Sequence, residues 1–361
     1  MSYSNNSFVK KLFILAITVG SLLTFNQSLQ ANESAQPAMD SVIPLLYPDL
    51  GASIDLSGDG DSIVIAHNGN SSLVTNEVWV FDYANGQWSR RGDTVRVEKF
   101  GQGAAISGDG QVIAVGDPFG ANRYGKGWVW GWNGSAWEQR GNPFQGGTDS
   151  DLMQGAALNG DGSVVSFGEF QYAFNWEGRV RAWDWIGGAW QESFNSVGPT
   201  QHRISGPALS ADGQILAHGE SRIDGGVGAV RVYGRIADGW ERRGGDLTIS
   251  PEARTVLTDI SADGSRVLLV TEVPNTEGPE CLARTGDWNA ATSEWDLGDV
   301  IVYSDVPPRP NGAYNTCRGK ISGDGTRLIL ADFVSDGTGG RVRSCLRARV
   351  VGRFLTTSKA M

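Results

Sequence analysis

Acidic side chains recur at equivalent places along this chain. Eight residues beyond the aspartate of each copy of a Ser/Asn-Gly/Ala-Asp-Gly signature stand His67, Asp117, Glu169, Glu220, Thr271 and Asp332, with Glu272 beside Thr271. If the copies lie on a circle, Asp117, Glu169, Glu220, Glu272 and Asp332 share one face. Carboxylates at close range repel unless a cation is held among them. The pattern therefore predicts an acidic ring that binds a divalent ion or a cationic group of a ligand. A second candidate is the first signature itself, DLSGDGD, where Asp55, Asp59 and Asp61 alternate as in a calcium loop. Calcium is the ion this would suit, although Ile63 stands where such a loop needs its last acidic ligand. DISADG, with Asp259 and Asp263, is a weaker copy ending at Val267.

Residues for acid-base or nucleophilic catalysis are sparse. The histidines are His67, His202 and His218. His202 follows Pro-Thr-Gln in what reads as an exposed loop, and His218 falls in a strand, where packing is the expected role. There is no G-x-S-x-G elbow, HExxH helix or phosphate-cradling loop. A glycosidase would need two acids about 5 to 10 Å apart, and linear spacing does not supply that distance. No catalytic residue is assigned on these grounds.

The elements that must position these groups are set by the signature. Its aspartates are Asp59, Asp109, Asp161, Asp212, Asp263 and Asp324, at separations of 50, 52, 51, 51 and 61 residues. A unit of this length repeated six times is a repeat architecture. Within a unit, two β runs flank the signature, where Asp-Gly suits a turn, and two more flank a second turn such as Asn85-Gly86 or Gly187-Gly188. That second hairpin carries aromatics seven residues apart: Phe81 and Trp88, Trp130 and Trp137, Trp183 and Trp190, Tyr233 and Trp240, Trp288 and Trp295. Recurrence at one spacing points to packing between neighbouring sheets. Six four-stranded units, each too small to stand alone, predict an all-β, six-bladed β-propeller over residues 44–357, with blades at about 44–95, 96–147, 148–199, 200–248, 249–312 and 313–357.

Outside the repeats, Lys10 and Lys11 precede an apolar run from Leu12 to Phe25 and a polar stretch to Ala31. This reads as a secretory signal over residues 1–31, followed by a linker over 32–43, with a short tail at 358–361. The expected location is secreted, extracellular or periplasmic, with no membrane span in the mature chain. Cys281, Cys317 and Cys345 allow one disulfide, either Cys281 to Cys317 or Cys317 to Cys345, with one thiol left over. A formal charge of −10 argues against nucleic acid as a partner.

The second unit, GAAISGDGQVIAVGDP followed by GWVWGWNGSAWEQRG, resembles the FG-GAP class of repeats, and within it the secreted subgroup with a tryptophan in the last strand. The resemblance, distantly to integrin α-chain heads, covers residues 50 to 355. It implies an extracellular binding or adhesion module that recognises a protein or glycan, with cation assistance and without intrinsic catalysis. The alternative expectation is a secreted carbohydrate-active enzyme, a lyase or glycoside hydrolase, on the same scaffold.

Overall fold

Each signature folds as a turn whose residue types are fixed by contacts. In the first copy, the Asp59 Oδ1 accepts from the Ser57 hydroxyl at 2.6 Å and from the Asp61 amide at 2.9 Å, while the Ser57 hydroxyl accepts from the Ser62 amide at 2.9 Å. The same set recurs around Asp109, Asp212 and Asp324. The closing glycines, Gly60 and Gly110 among them, have φ near +70°, a conformation that other residues resist. The second position is Gly or Ala because the turns stack on one another. Backbone hydrogen bonds run from Gly58 to Gly108, from Gly160 to Ala211 and from Ala262 to Gly323. A Cβ on Gly160 would lie 2.7 Å from the Ala211 carbonyl oxygen.

The computed structural model describes residues 50–67, 76–98, 102–118, 120, 125–146, 153–172, 177–199, 202–222, 226–253, 255–273, 280–303, 315–334 and 340–346. The expected signal segment, linker and tail lie outside these residues. The described strands form six antiparallel sheets and no long helix; five sheets have at least four strands and the sixth has three described. We number them blades 1 to 6 in chain order. Their first strands are Leu50–Leu56, Gln102–Ile106, Met153–Leu158, His202–Leu209, Thr255–Ile260 and Asn315–Ile321. These first strands lie against one another around the axis. Asp55 accepts from the Ile106 amide at 3.1 Å, the Ser205 hydroxyl donates to the Val256 carbonyl at 2.7 Å, and Asp259 accepts from the Ile321 amide at 2.9 Å. This is the expected six-bladed propeller.

Blade-to-blade packing is apolar inside and aromatic at the rim. Val64, Val80, Ile106 and Ile113 share one buried cluster across blades 1 and 2, and Val230, Val256, Leu269 and Trp295 share one across blades 4 and 5. At the rim, a Trp-x-x-Arg-Gly run buckles one blade to the next. The Arg91 and Arg140 guanidiniums donate to the Gly110 and Gly162 carbonyls of the following blade's turn, and Arg140 lies 4.7 Å from the Trp185 ring. The Trp137 and Trp190 indoles in turn donate to the Arg91 and Arg140 carbonyls at 3.1 and 2.7 Å. Gly141, at φ +79°, is needed because a Cβ there would lie 2.7 Å from Trp190.

The aromatic pairing differs from the seven-residue expectation in blades 1 to 3. Tyr83, Trp132 and Trp185 stand opposite Trp88, Trp137 and Trp190, with ring centroids 5.2, 5.3 and 5.0 Å apart. Two-residue turns such as Asn85-Gly86 place residues five apart face to face. Only the longer loop of blade 5 sets Trp288 opposite Trp295.

Where blades 6 and 1 meet, the axis carries charge. Four residues before the turn aspartate stand Asp55, Ala105, Ala157, Ala208, Asp259 and Lys320. Blades 2 to 4 thus pack small apolar groups there, whereas Lys320 lies 3.6 Å from both Asp55 and Asp259. Asp259, then Asp55, hold the Lys320 ammonium above its ordinary pKa. Cys281 and Cys317 form a disulfide that joins blade 5 to blade 6, which decides between the two pairings left open by the sequence. The Cys345 side chain lies outside the described residues.

Candidate functional site

The predicted ring residues do occupy the same end of successive blades, yet three of them are buried between blades. Asp117, Glu169 and Glu220 are at most 2% exposed. A buried carboxylate needs a partner, and the third strand of the same blade supplies one. Glu169 takes the Arg179 and Arg181 guanidiniums, each Nε at 2.7 Å. Burial pushes the Glu169 carboxyl up, against the pull of Arg181 and Arg179. Asp117 stands opposite Lys126, whose ammonium pairs with Glu98 of blade 1. Glu220 binds Arg231 at 2.8 Å. Glu169 and Glu220 are therefore members of ion pairs within separate blade interfaces.

The remaining ring positions diverge. Glu272 follows the equivalent position, held by Thr271, so strand alternation turns its side chain to the opposite face of the sheet from the other acids. It is half-buried, and burial pushes its carboxyl up. Asp332 pairs by backbone with Cys317 and Arg341, and the side chains of Asp332 and His67 lie outside the described residues.

Two of the three calcium candidates, Asp55 and Asp59, are engaged elsewhere. Asp59 closes its own turn, and Asp55 serves Ile106 and Lys320. The Asp61 amide donates to Asp59, and its carbonyl accepts from the Tyr83 amide. Among the described residues no three His, Cys, Asp or Glu side chains converge in a way that would hold a metal ion.

Blade 4 is chemically distinct. His202 is the first residue of its blade's first strand and only 6% exposed, not the exposed loop residue expected. Its Nδ1 is hydrogen-bonded to the Glu220 Oε1, and the other carboxylate oxygen is held by Arg231. Arg231 is anchored in turn by Asp246 at 3.2 Å, and Asp246 by Arg242 at 2.6 Å. A carboxylate only accepts, so Nδ1 donates in this bond. Among the described residues Nε2 has no hydrogen-bond partner. Below this group lies His218, 1% exposed, with neither ring nitrogen hydrogen-bonded and the ring stacked on Tyr233. Burial, reinforced by Arg231, lowers its pKa to about 3, so it is a neutral core residue.

Sequence reasoning found the acids and missed their cations. Arg179, Arg181 and Arg231 become visible only once the register of the second and third strands is known, which sets Glu169 opposite Arg179 and Glu220 opposite Ala229.

No family model and no curated protein sequence matches the chain. Several solved structures share its fold. The periplasmic gluconolactonase of Pseudomonas aeruginosa is 12% identical over 81% of this chain and 80% of that one, with a TM-score of 0.55. A putative 6-phosphogluconolactonase from Bacteroides uniformis is 14% identical over 81% and 80%, at 0.54. Hydrazine synthase of Kuenenia stuttgartiensis is 13% identical over 82% and 83%, also at 0.54. The fold is a β-propeller. The expectation of an adhesion module without catalysis is corrected by this comparison. These three neighbours are named as enzymes, whereas another of similar likeness is named as a complex of KlAtg21 with the coiled coil of AgAtg16, so the shared fold does not by itself point to adhesion.

Proposed function

We propose that the propeller is a secreted carbohydrate-active enzyme, and specifically a hydrolase of sugar-derived lactones with His202 as general base. The observation that carries this reading is the His202–Glu220–Arg231 relay: a histidine whose Nδ1 proton is fixed by a buried carboxylate, leaving Nε2 to take a proton. In the proposed step Nε2 removes a proton from water as the oxygen adds to the lactone carbonyl carbon. The tetrahedral oxyanion then collapses, the ring C–O bond breaks, and the imidazolium returns the proton to the leaving alkoxide. Glu220 holds the tautomer and balances the transient imidazolium charge.

A glycoside hydrolase fits less well. It needs two carboxyl groups working across one bond, whereas Glu169 and Glu220 are committed to arginines in different interfaces. The names of the two lactonase-like neighbours agree with the reading. Export is supported by the Leu12 to Phe25 run and by the Cys281–Cys317 disulfide, which suits an oxidising compartment. The FG-GAP repeat type is proposed from the signature and from the tryptophan of the last strand.

The test is a pH-stat assay of the mature protein on glucono-1,5-lactone, corrected for spontaneous opening. His202→Asn should lower kcat by about 10²- to 10⁴-fold with little change in KM. Glu220→Gln should follow it in the same direction. Undiminished lactone opening in His202→Asn would overturn the assignment.

A further inference from the structure

A recess of about 260 Å³ lies at the outer edge of the interface between blades 1 and 2. Internal repetition explains why it is there. Four residues after the buckling arginine, blade 2 has Phe144 and blade 1 has Val95. Phe144 fills the next interface, with its ring centroid 4.5 Å from that of Trp183 and 5.8 Å from that of Trp190. Phe194 does the same one interface further on, 4.8 Å from Tyr233 and 5.6 Å from Trp240. Val95 is too short to reach equivalent contacts, and the space stays open against Trp130 and Trp137.

The walls of this recess are unlike a residual packing defect. Asp93, Thr94 and Arg96 line it beside the two indoles. Asp93 is exposed, and its carboxylate has no hydrogen-bond partner among the described residues. Arg96 is exposed, and among the described residues its one ion pair is with the Glu77 carboxylate, at 3.0 Å. Indole surface flanked by a carboxylate and a guanidinium matches a pyranose, which offers C–H groups on its faces and hydroxyls around its edge. The volume falls just below the roughly 300 to 1,000 Å³ of sites for drug-sized molecules, which suits a single sugar ring.

We propose that this recess is an accessory saccharide-binding site, separate from His202 and holding one unit of a neutral glucan on the flank of the propeller. It uses none of the proposed catalytic residues, so it stands or falls separately from the lactonase reading.

The experiment is isothermal titration of the mature protein with cellohexaose and with maltohexaose, alongside lactone assays on the same samples. One of the two sugars should bind the wild-type chain. Val95→Phe, which installs the residue blade 2 already carries, should abolish the binding heat, and Asp93→Ala should weaken binding about tenfold. Asp93→Ala removes only an exposed side chain, so it keeps the test valid if Val95→Phe folds poorly. Lactone opening should be unchanged in both variants, whereas His202→Asn should leave the sugar heat intact. Absence of heat from both sugars, or heat undiminished in both variants, would overturn the site.

Discussion

Blades 3 and 4 carry the same carboxylate on the same scaffold and use it differently. In blade 3, Glu169 lies opposite Arg179 and is closed off by Arg179 and Arg181 together. In blade 4, Arg231 matches Arg181, but the place of Arg179 is taken by Ala229, and the vacated carboxylate oxygen goes to His202. One residue deeper on the same face, the Phe167 of blade 3 becomes His218. The loss of one arginine and the arrival of His202 thus separate a saturated structural triad from a relay with a nitrogen to spare. Repetition makes such departures readable, because each blade is a control for its neighbour.

The sharpest way to break the comparison is to delete the carboxylate of blade 3. Glu169→Ala leaves two guanidiniums facing each other in a site where the carboxyl had been fully buried. Removing one member of a buried ion pair costs about 3 to 5 kcal/mol. Urea unfolding should show this loss while specific lactone activity in the folded fraction is preserved. Glu220→Gln should reverse the pattern, losing more activity than stability. Equal profiles for the two variants would remove the distinction between the blades.

The next largest effect separates His218 from Phe167. The His218 pKa is depressed from an ordinary 6.5 to about 3. The shift itself therefore costs nothing while the unfolded chain is also neutral, above about pH 6.5. As pH falls toward 3 the unfolded state takes a proton that the folded state refuses, and stability is lost at about 1.4 kcal/mol per pH unit. By pH 5 the loss is about 2 kcal/mol. His218→Phe, which copies blade 3, should flatten this slope in unfolding curves taken between pH 7 and pH 5. A slope unchanged by the substitution would show that other groups carry the acid sensitivity.

The unequal legibility of these features has a physical reason. Turn aspartates, Gly at the closing position and the strand count were readable because they obey local rules that repeat in each unit. The location of Asp117, Glu169 and Glu220 at one end of the blades was readable for the same reason. Their burial and their cations were not, because Arg179, Arg181 and Arg231 are brought to them by cross-strand register. His202 looked exposed after Pro-Thr-Gln, yet hydrogen bonding to Glu220 draws it into the strand. The recurring aromatics do pack between neighbouring sheets, as Trp130 and Trp137 do against blade 1, but the turn length, and not the linear spacing, decides which rings face each other.

The smallest effect probes how far Glu169 resembles Glu220 once an arginine is gone. Arg179→Ala leaves Arg181 on the carboxylate, giving the one-arginine state of blade 4 without its histidine. The expected cost is about 1 to 2 kcal/mol at neutral pH, below that of Glu169→Ala because the remaining charges still balance. The sign of its pH dependence follows from burial. Glu169 already titrates above its ordinary value because desolvation opposes its charged form, and losing Arg179 raises it further. A carboxyl raised in the folded state is least costly when protonated in both states, so the deficit should be greatest near pH 7 and shrink as pH falls through its titration. Unfolding measured at neutral pH and near pH 4 would show the two curves converging. If the offset is instead the same at both pH values, Arg179 acts through packing, and the triad of blade 3 differs from the relay of blade 4 in shape more than in charge.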